Sequence, residues 1–587
     1  MLTKLVIRNF KRLHDVAIEL GGAVVFVGPN NSGKTSALQA ISLWDVGMRS
    51  WNAKREGKSS PEKRPGVTIN RRDLISTPVP TANDLWTKKH VRCGKVELGE
   101  KGTQNIRMDI QLSGIENDRT WECGFEFDFS NEETLVCRPL RLSGHENTPI
   151  NATKFSSIPE DATKTRIAFL PPMSGIASEE PLLQSGRINV LLGQGQTAQV
   201  LRNLCYQILE NDRHNHRNDW EQIANKIEVL FGARLSEPVF IKERGEIELQ
   251  FIENTIDLDI SASGRGLQQT LLLLAHMYVN PNTVLLLDEP DAHLEILRQR
   301  EIFTAICEIA QQQGSQIIAA SHSEVILNEA AGKGTVIAFC GKPHRLNDRG
   351  SHLLKALNSI GWDQYYQAEQ TGWVLYLEGP SDLEILRAFA QTLQHTQAIS
   401  ILSRPFVHYI GTNHPPVCRD HFNGLREAKK DLIGIAIFDR IDRELSSNDE
   451  GLNEKMWKRR EIESYFCIQE VLISYARHGL KENDLFDNIE AQRRVEAMEE
   501  SIKEVEAALK TLDKGVPWSP DVKVSDDFLD PLFRNYFAKI GLYSLMRNKA
   551  DYHILAHLLP AEQIDPEITE KLDAIVATAK KAHPCGE

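Results

Sequence analysis

The sequence predicts an α/β chain in which a nucleotide-binding sheet with a β-rich lobe precedes a second, smaller α/β unit and a helical C-terminal region. Three stretches carry that expectation. Val24–Val27 is an apolar strand leading into Gly28-Pro29-Asn30-Asn31-Ser32-Gly33-Lys34-Thr35, a G-x-x-x-x-G-K-T loop. Thr283–Leu287 is a second apolar run, ending on Asp288 and Glu289, as a buried parallel strand does when it delivers acids to its C-terminal edge. Trp373–Leu377 ends on Glu378 and turns through Gly379-Pro380-Ser381 to Asp382, a strand-to-helix corner that aims an acid at the same kind of edge.

In chain order, Leu5–Ile7 reads as one strand and Arg8–Lys11 with Val16–Leu20 as a second. In the glycine-rich loop, Gly28 and Gly33 let successive backbone N–H groups turn toward phosphate oxygens, with Asn30, Asn31 and Ser32 forming the crest. Lys34 then reaches the β- and γ-phosphates of ATP or GTP, and the Thr35 hydroxyl holds Mg2+. A helix is expected over about 36–43. The stretch 51–90 concentrates basic residues, among them Lys54, Arg55, Arg71, Arg72, Lys88 and Lys89. It is either a nucleic-acid patch or a solvated insertion.

Alternation of period two at 95–98, 106–112 and 121–129 predicts half-exposed antiparallel strands, the β-rich lobe. A strand at Arg166–Leu170 stops at Pro171-Pro172, and helices are expected over 195–210 and 217–231. After the second apolar run, Asp288 is placed to bind Mg2+ and Glu289 to orient or deprotonate the attacking water. Upstream, Ser261–Gln269 precedes a helix expected over Thr270–Val279. Downstream, Ser321-His322-Ser323 follows the strand Gln316–Ala320.

The stretch 341–371 reads as loop. Past it, strands at 373–378, 406–410 and 433–439 place Glu378 and Asp439 at strand ends, with Asp382 opening a helix. Glu461 and Glu463 stand two apart and share a face if the chain there is extended. Asp442 follows Asp439 by three, so an extended strand points it the other way unless the chain turns at Arg440 and brings Asp442 or Glu444 round. Val495, Met498, Ile502, Val505 and Leu509 form a helical stripe, and a further helix is expected to open at 547–552.

Composition bounds the rest. At 587 residues the chain exceeds one core, and a net charge of −13 leaves nucleic-acid binding to local patches. No run reaches the roughly 18 apolar residues of a membrane span. Nine cysteines without a C-x-x-C pair fit a reducing, cytoplasmic setting and argue against zinc.

The glycine-rich loop, Asp288-Glu289, the Ser263-Gly264 loop, Asp291-Ala292-His293-Leu294 and His322 resemble, in order and placement across 1–325, the elements of ABC-type ATPases. Ile7–Leu13 looks like the start of their soluble RecF and SMC branch. The resemblance implies that ATP closes a homodimer or higher homo-oligomer through the heads, with Ser263 and Gly264 touching the partner's nucleotide and His322 the γ-phosphate. Gln184, Gln194 and Gln196 all remain open for the Q-loop. Glu378–Asp382, Asp439 and Arg459–Tyr465 resemble a TOPRIM domain. The order ATPase then TOPRIM resembles the OLD (overcoming lysogenization defect) nucleases and the related Gabija and PARIS defence components. This implies an ATPase at 1–365, a TOPRIM domain at 371–480 and a completing helical region at 481–587. It also implies Mg2+ or Mn2+ held by Glu378, Asp382, Asp439, Asp442, Glu461 and Glu463, catalytic support from Lys549, and cleavage of DNA or tRNA against phage, with a second subunit or a phage trigger as further partners. The rival expectation is a regulatory or scaffolding RecF-like ATPase whose TOPRIM fold binds a partner without cutting.

Overall fold

The computed structural model describes residues 1–587 except 56–65, 98–99, 117–118, 141–157, 211–215, 254, 340, 347–359, 442–444, 446–449, 481–484, 543–545, 547–548 and 585–587. The chain divides into two compact units, Met1–Leu354 and Lys355–Glu587.

In the first unit, β1 (Leu2–Phe10) and β2 (Leu13–Glu19) form a hairpin. Arg8–Phe10 therefore belong to the first strand, not the second, and Lys11 turns with a positive φ. Next comes β3 (Ala23–Val27), followed by a helix over Lys34–Arg55 that starts earlier and runs longer than the expected 36–43. Trp44 and Met48, buried beyond residue 43, explain the extension, since each added turn covers more of the sheet. The strands β4 (Val67–Asn70), β5 (Arg92–Glu97), β6 (Glu100–Asn105), β7 (Met108–Glu116), β8 (Arg119–Asn131) and β9 (Thr134–Pro139) follow.

The β-rich lobe is the antiparallel sheet β2-β1-β7-β8-β9-β4. In β7, Met108, Ile110, Leu112 and Gly114 alternate inward, which is the period-two signal read from the sequence. The basic stretch is corrected here. Residues 51–55 close the long helix, and 67–90 packs into the lobe through Ile69, Leu85 and Trp86. Arg71 pairs with Glu133 and Lys89 with Asp84. Residues 56–65 lie outside the described part.

The second sheet of this unit begins with β10 (Ile167–Leu170). It is completed, after the short strands β11 (Arg234–Leu235), β12 (Val239–Ile241), β13 (Glu246–Glu248), β14 (Gln250–Glu253) and β15 (Ile256–Asp259), by β16 (Val284–Asp288), β17 (Gln316–Ser321), β18 (Thr335–Ala338) and β19 (His344–Arg345). Its order is β10-β16-β17-β3-β18-β19, parallel except at β19. Both faces are covered. Val284 and Leu286 pack with the long helix, while Leu285 and Leu287 pack with the helices Leu201–Glu210 and Arg265–Val279. This double burial is why β16 reads as an unbroken apolar run. The last of those helices begins at Arg265 instead of Thr270, so Arg265–Gln269 is its first turn.

Among the described residues of the second unit, a helix, Trp362–Thr371, stands where loop was expected; Gly372, left-handed at φ 71°, ends it. The strands β20 (Trp373–Leu377), β21 (Val407–Tyr409), β22 (Ile433–Phe438) and β23 (Leu452–Met456) make a wholly parallel sheet of order β21-β20-β22-β23. Leu375, Leu377, Ile435 and Ile437 face one core, and Val374, Tyr376, Ala436 and Phe438 face another. The first of these cores also takes in Val495, Met498, Ile502, Val505 and Leu509 of the helix Leu485–Thr511, together with the helices Asp530–Ile540 and Pro566–Lys580. The C-terminal helices and the small sheet therefore share a single hydrophobic core.

Candidate functional site

In the first unit the phosphate loop lies at the C-terminal end of β3. Gly28 and Gly33 adopt φ 152° and 108°. A Cβ on Gly28 would come within 2.8 Å of the Phe339 carbonyl and one on Gly33 within 3.0 Å of Leu13, so both must be glycine. Asn30 and Asn31 are exposed at the crest, and Arg12 of the hairpin turn donates to the Asn31 carbonyl. Ser32 Oγ is buried with no hydrogen-bond partner, as expected of an oxygen shaped to meet a phosphate.

Lys34 is 5% exposed, and its Nζ donates to the Gly28 and Pro29 carbonyls at 2.7 and 2.9 Å. Its third neighbour is His322 Nδ1 at 3.4 Å, and His322 Nε2 stands 3.1 Å from Glu289 Oε1. Because the ammonium can only donate, Nδ1 accepts, which leaves Nε2–H to donate to Glu289. His322 thus links the phosphate lysine to the carboxylate at the end of the neighbouring strand. Glu289 holds a left-handed φ of 50° while its N–H bonds the Ala320 carbonyl, which turns the side chain off the strand axis. Thr35 Oγ1 donates to Asp288 Oδ1 at 3.1 Å, and burial, with Glu289 adding to it, pushes Asp288 up to about 6. The hydroxyl and carboxylate are the hard oxygens a Mg2+ carried with the nucleotide would use, so the residues present fit that group.

Ser263 and Gly264 lie elsewhere in the unit. Gly264 caps the helix Arg265–Val279, and Gln268 Nε2 donates to the Ser263 carbonyl at 3.0 Å. With Arg265, His293 and Arg298 they line a cavity of about 380 Å³ that includes none of residues 28–35. The loop and His293 therefore form one surface, separate from the phosphate loop of the same chain.

In the second unit, Glu378 and Asp439 follow directly on β20 and β22. Asp382 caps the helix Pro380–Thr392, with its Oδ2 accepting from the Glu378 and Gly379 N–H groups at 3.1 and 3.3 Å. Glu461 and Glu463 are not on an extended segment: Ile462–Tyr465 is a 3-10 turn with Glu461 at its start. Both are nevertheless buried, Glu463 to 3% exposure, and both act electrostatically on Asp439. Burial first, then Glu463, Glu378, Asp382 and Glu461, pushes Asp439 up to about 9. Burial, then Glu461 and Asp382, pushes Glu463 up to about 8. Burial raises Glu461 and lifts Asp382 to about 6. Asp442 and Glu444 lie outside the described residues.

Lys549 opens a 3-10 turn, Lys549–Asp551, not the helix expected there. Its Nζ stands 3.9 Å from Glu461 and 3.4 Å from Asp526. Burial alone lowers its pKa, but Glu463, Glu461 and Asp526 together outweigh that and raise it.

Two residues of the C-terminal region, Ser525 and Glu567, hold the acidic turn, and no sequence signal marked them. The Ser525 N–H and Oγ–H donate to the two oxygens of Glu461 at 2.6 and 2.8 Å. Glu567, at the start of the helix Pro566–Lys580, accepts from the Lys458 N–H at 3.1 Å and from the Tyr465 hydroxyl. Lys571, one turn on, pairs with Glu567 at 3.1 Å.

A divalent cation suits this donor set in chemistry, since all five carboxylates offer hard oxygens. Two further oxygens, Asn413 Oδ1 and Ser464 Oγ, are buried without a hydrogen-bond partner. As the side chains stand, however, no three His, Cys, Asp or Glu among the described residues are grouped so as to hold a metal ion. Like charges without a counter-ion repel, and the same repulsion appears in the raised pKa values.

Comparison with known proteins gives the following. Residues 1–45 match a family described as "AAA ATPase domain", and residues 205–328 one described as "AAA domain, putative AbiEii toxin, Type IV TA system". An OLD nuclease of Thermus scotoductus is 19% identical over 351 residues, 55% of this chain and 59% of that protein, so the chain spans under two thirds of the relative's length. Solved structures that align include an SMC head domain from Thermotoga maritima (17% identity, 57% of this chain and 94% of that one, TM-score 0.28). Another is an Smc head with an extended coiled coil from Pyrococcus furiosus, bound to the C-terminal domain of ScpA (14% identity, 61% and 99%, TM-score 0.34). The first unit is thus a mixed α/β fold with a P-loop, two segments of which resemble AAA ATPase domains, and no helix of the described residues is long and apolar enough to cross a membrane.

Proposed function

We propose that the chain couples ATP hydrolysis in the first unit to divalent-cation-dependent cleavage of a nucleic acid, DNA or tRNA, in the second, in the manner of an OLD-family TOPRIM nuclease serving defence against phage. The observation that carries this reading is the gathering of Glu378, Asp382, Glu461 and Glu463 about Asp439, drawn from three segments, with Lys549 beside Glu461. Folding tolerates such crowding of buried like charges at some cost in stability, and a cation-dependent function is the usual reason for it.

A cation held there supplies a Lewis acid for a phosphodiester. The chain's own contributions are distinct. Glu378, Asp382, Asp439 and Glu463 would position the cation, while Ser525 and Lys549 favour the charged form of Glu461 against the effect of burial. Lys549 also stabilises negative charge developing on the phosphate. In the first unit Lys34 and Ser32 bind the nucleotide phosphates, Thr35 and Asp288 hold its Mg2+, and Glu289, oriented by His322, activates water. Ser263 and Gly264 complete the site of a second copy, so the assembly is a homodimer or larger, with a second subunit or a phage component as its trigger.

Incubating the full chain with plasmid DNA and with tRNA, in Mg2+ or Mn2+ and with or without ATP, tests the reading. Cleavage that is lost in Glu378→Ala and Asp439→Ala, with ATP hydrolysis retained, is the expected result. No cleavage under any of these conditions, or normal cleavage by Glu378→Ala, would refute it. The alternative, an ATPase whose second unit binds a partner without cutting, draws on the spacing of the acids, which among the described residues are not grouped to hold a metal ion. That alternative takes over on the first of those outcomes.

A further inference from the structure

The loop 411–414 joins the strand ends that carry the acids. The Gly411 N–H donates to the Glu378 carbonyl at 3.0 Å, and Asn413 Nδ2 donates to the Asp439 carbonyl at 3.0 Å. The amide cannot be turned round, because a carbonyl oxygen at that distance requires the NH2 group opposite it. Asn413 Oδ1 therefore points away from that bond, and it is buried with no hydrogen-bond partner. The two amide atoms share one carbon, so Oδ1 lies within roughly 5 Å of the Asp439 carbonyl. An amide oxygen left unsatisfied inside a protein is destabilising unless something absent from the chain itself meets it.

From this geometry we infer that Asn413 belongs to the acid site and presents Oδ1 toward the divalent cation, as a neutral donor beside Glu378 and Asp439. The inference rests on the cation-dependent reading of the second unit. A neutral oxygen has a clear use there. A further carboxylate would add a negative charge to a cluster that already resists ionisation, whereas an amide oxygen adds a hard ligand without one. The Nδ2–H bond also fixes the orientation of the amide, as partners around a cation do. Asn413 follows exposed Gly411 and Thr412 in a surface loop, so small substitutions there leave the sheet and its core intact.

Mn2+ binding by the full chain, without nucleotide, is read from the loss of the free-ion electron paramagnetic resonance signal, with Glu378→Ala marking the acid site. Asn413→Ala and Asn413→Ser, neither of which reaches as far, are expected to weaken the Glu378-dependent binding about tenfold, within the range seen when groups supporting a cation are removed. The rise in melting temperature that Mn2+ gives the wild type should shrink in both variants, while their melting temperature in EDTA falls by no more than about 4 °C, the cost of the lost Nδ2 hydrogen bond. A purely structural residue would lower the melting temperature in EDTA and leave the Mn2+ effect unchanged. If the wild type binds Mn2+ in a Glu378-dependent way and Asn413→Ala and Asn413→Ser bind equally well, the inference is wrong and the cation-dependent reading survives. If the wild type shows no Glu378-dependent binding, both fall together.

Discussion

Replacing Ser525 with alanine removes the Oγ–H that reaches Glu461 Oε2 at 2.8 Å while leaving the backbone N–H on the other oxygen. Both residues are fully enclosed, so no water replaces the lost donor, and Lys549 at 3.9 Å is then the nearest positive charge to that oxygen. A buried hydrogen bond to a charged group contributes roughly 1.5 to 3 kcal/mol. In a unit the length of 355–587, each kcal/mol moves the melting temperature by about 2 to 4 °C, so the expected fall is roughly 3 to 12 °C. Differential scanning calorimetry of the full chain at pH 8.5 and pH 5, without divalent cations, measures it. Because the Ser525 bonds favour the charged carboxylate while burial, the larger influence, favours the protonated one, the deficit should shrink at pH 5, where the protonated form gains. A fall below about 1 °C at pH 8.5, or an equal fall at both pH values, would refute the view that this serine favours the charged acid.

Lys34→Ala should abolish ATP hydrolysis, and Glu289→Gln should retain nucleotide binding while slowing turnover at least a hundredfold; filter binding and phosphate release separate the two effects. Asp439 and Glu463 bind their protons more tightly in the folded chain, near 9 and 8, than in the unfolded one, near 4. The stability they lend is therefore complete below about pH 4 and is lost as pH climbs toward 9, by at most about 1.4 kcal/mol per unit for each group. In EDTA the melting temperature of the second unit should fall between pH 5 and 9, and Asp439→Asn should flatten that slope; a flat wild-type profile counts against the buried cluster. Lys549→Ala should slow nucleic-acid cleavage tenfold or more while Mn2+ affinity changes little, and an equal loss of both would make it a structural residue.

Much of the sheet architecture was legible because buried parallel strands have to be apolar throughout, as in Val24–Val27, Val284–Leu287 and Ile433–Phe438. The acids that follow such runs were legible for the same reason, since a polar residue ending an apolar strand marks the edge of the sheet. By contrast β23, with the sequence Leu-Asn-Glu-Lys-Met, offers only two apolar positions, and its place beside β22 comes from backbone pairing that composition does not reveal. The helix Trp362–Thr371 hid in a stretch rich in Gln and Tyr, and its end depends on Gly372. The contacts of Ser525 and Glu567 with the segment around the acidic turn were invisible because they join residues some sixty to more than a hundred positions apart, and neither spacing nor periodicity encodes such pairings. Asn413 carried no signal at all; only the unsatisfied amide oxygen identifies it.

The dependence of the acidic turn on Glu567 has a consequence for synthesis. Chains emerge from the ribosome at about 5 to 20 residues per second, so the sheet that presents Glu378 and Asp439 is made several seconds before the helix that braces Lys458 and Tyr465. During that interval the acids exist but the turn carrying Glu461 and Glu463 lacks its bracing. Nascent chains, and any product cut short before residue 567, therefore carry the acids without the braced turn that completes their arrangement.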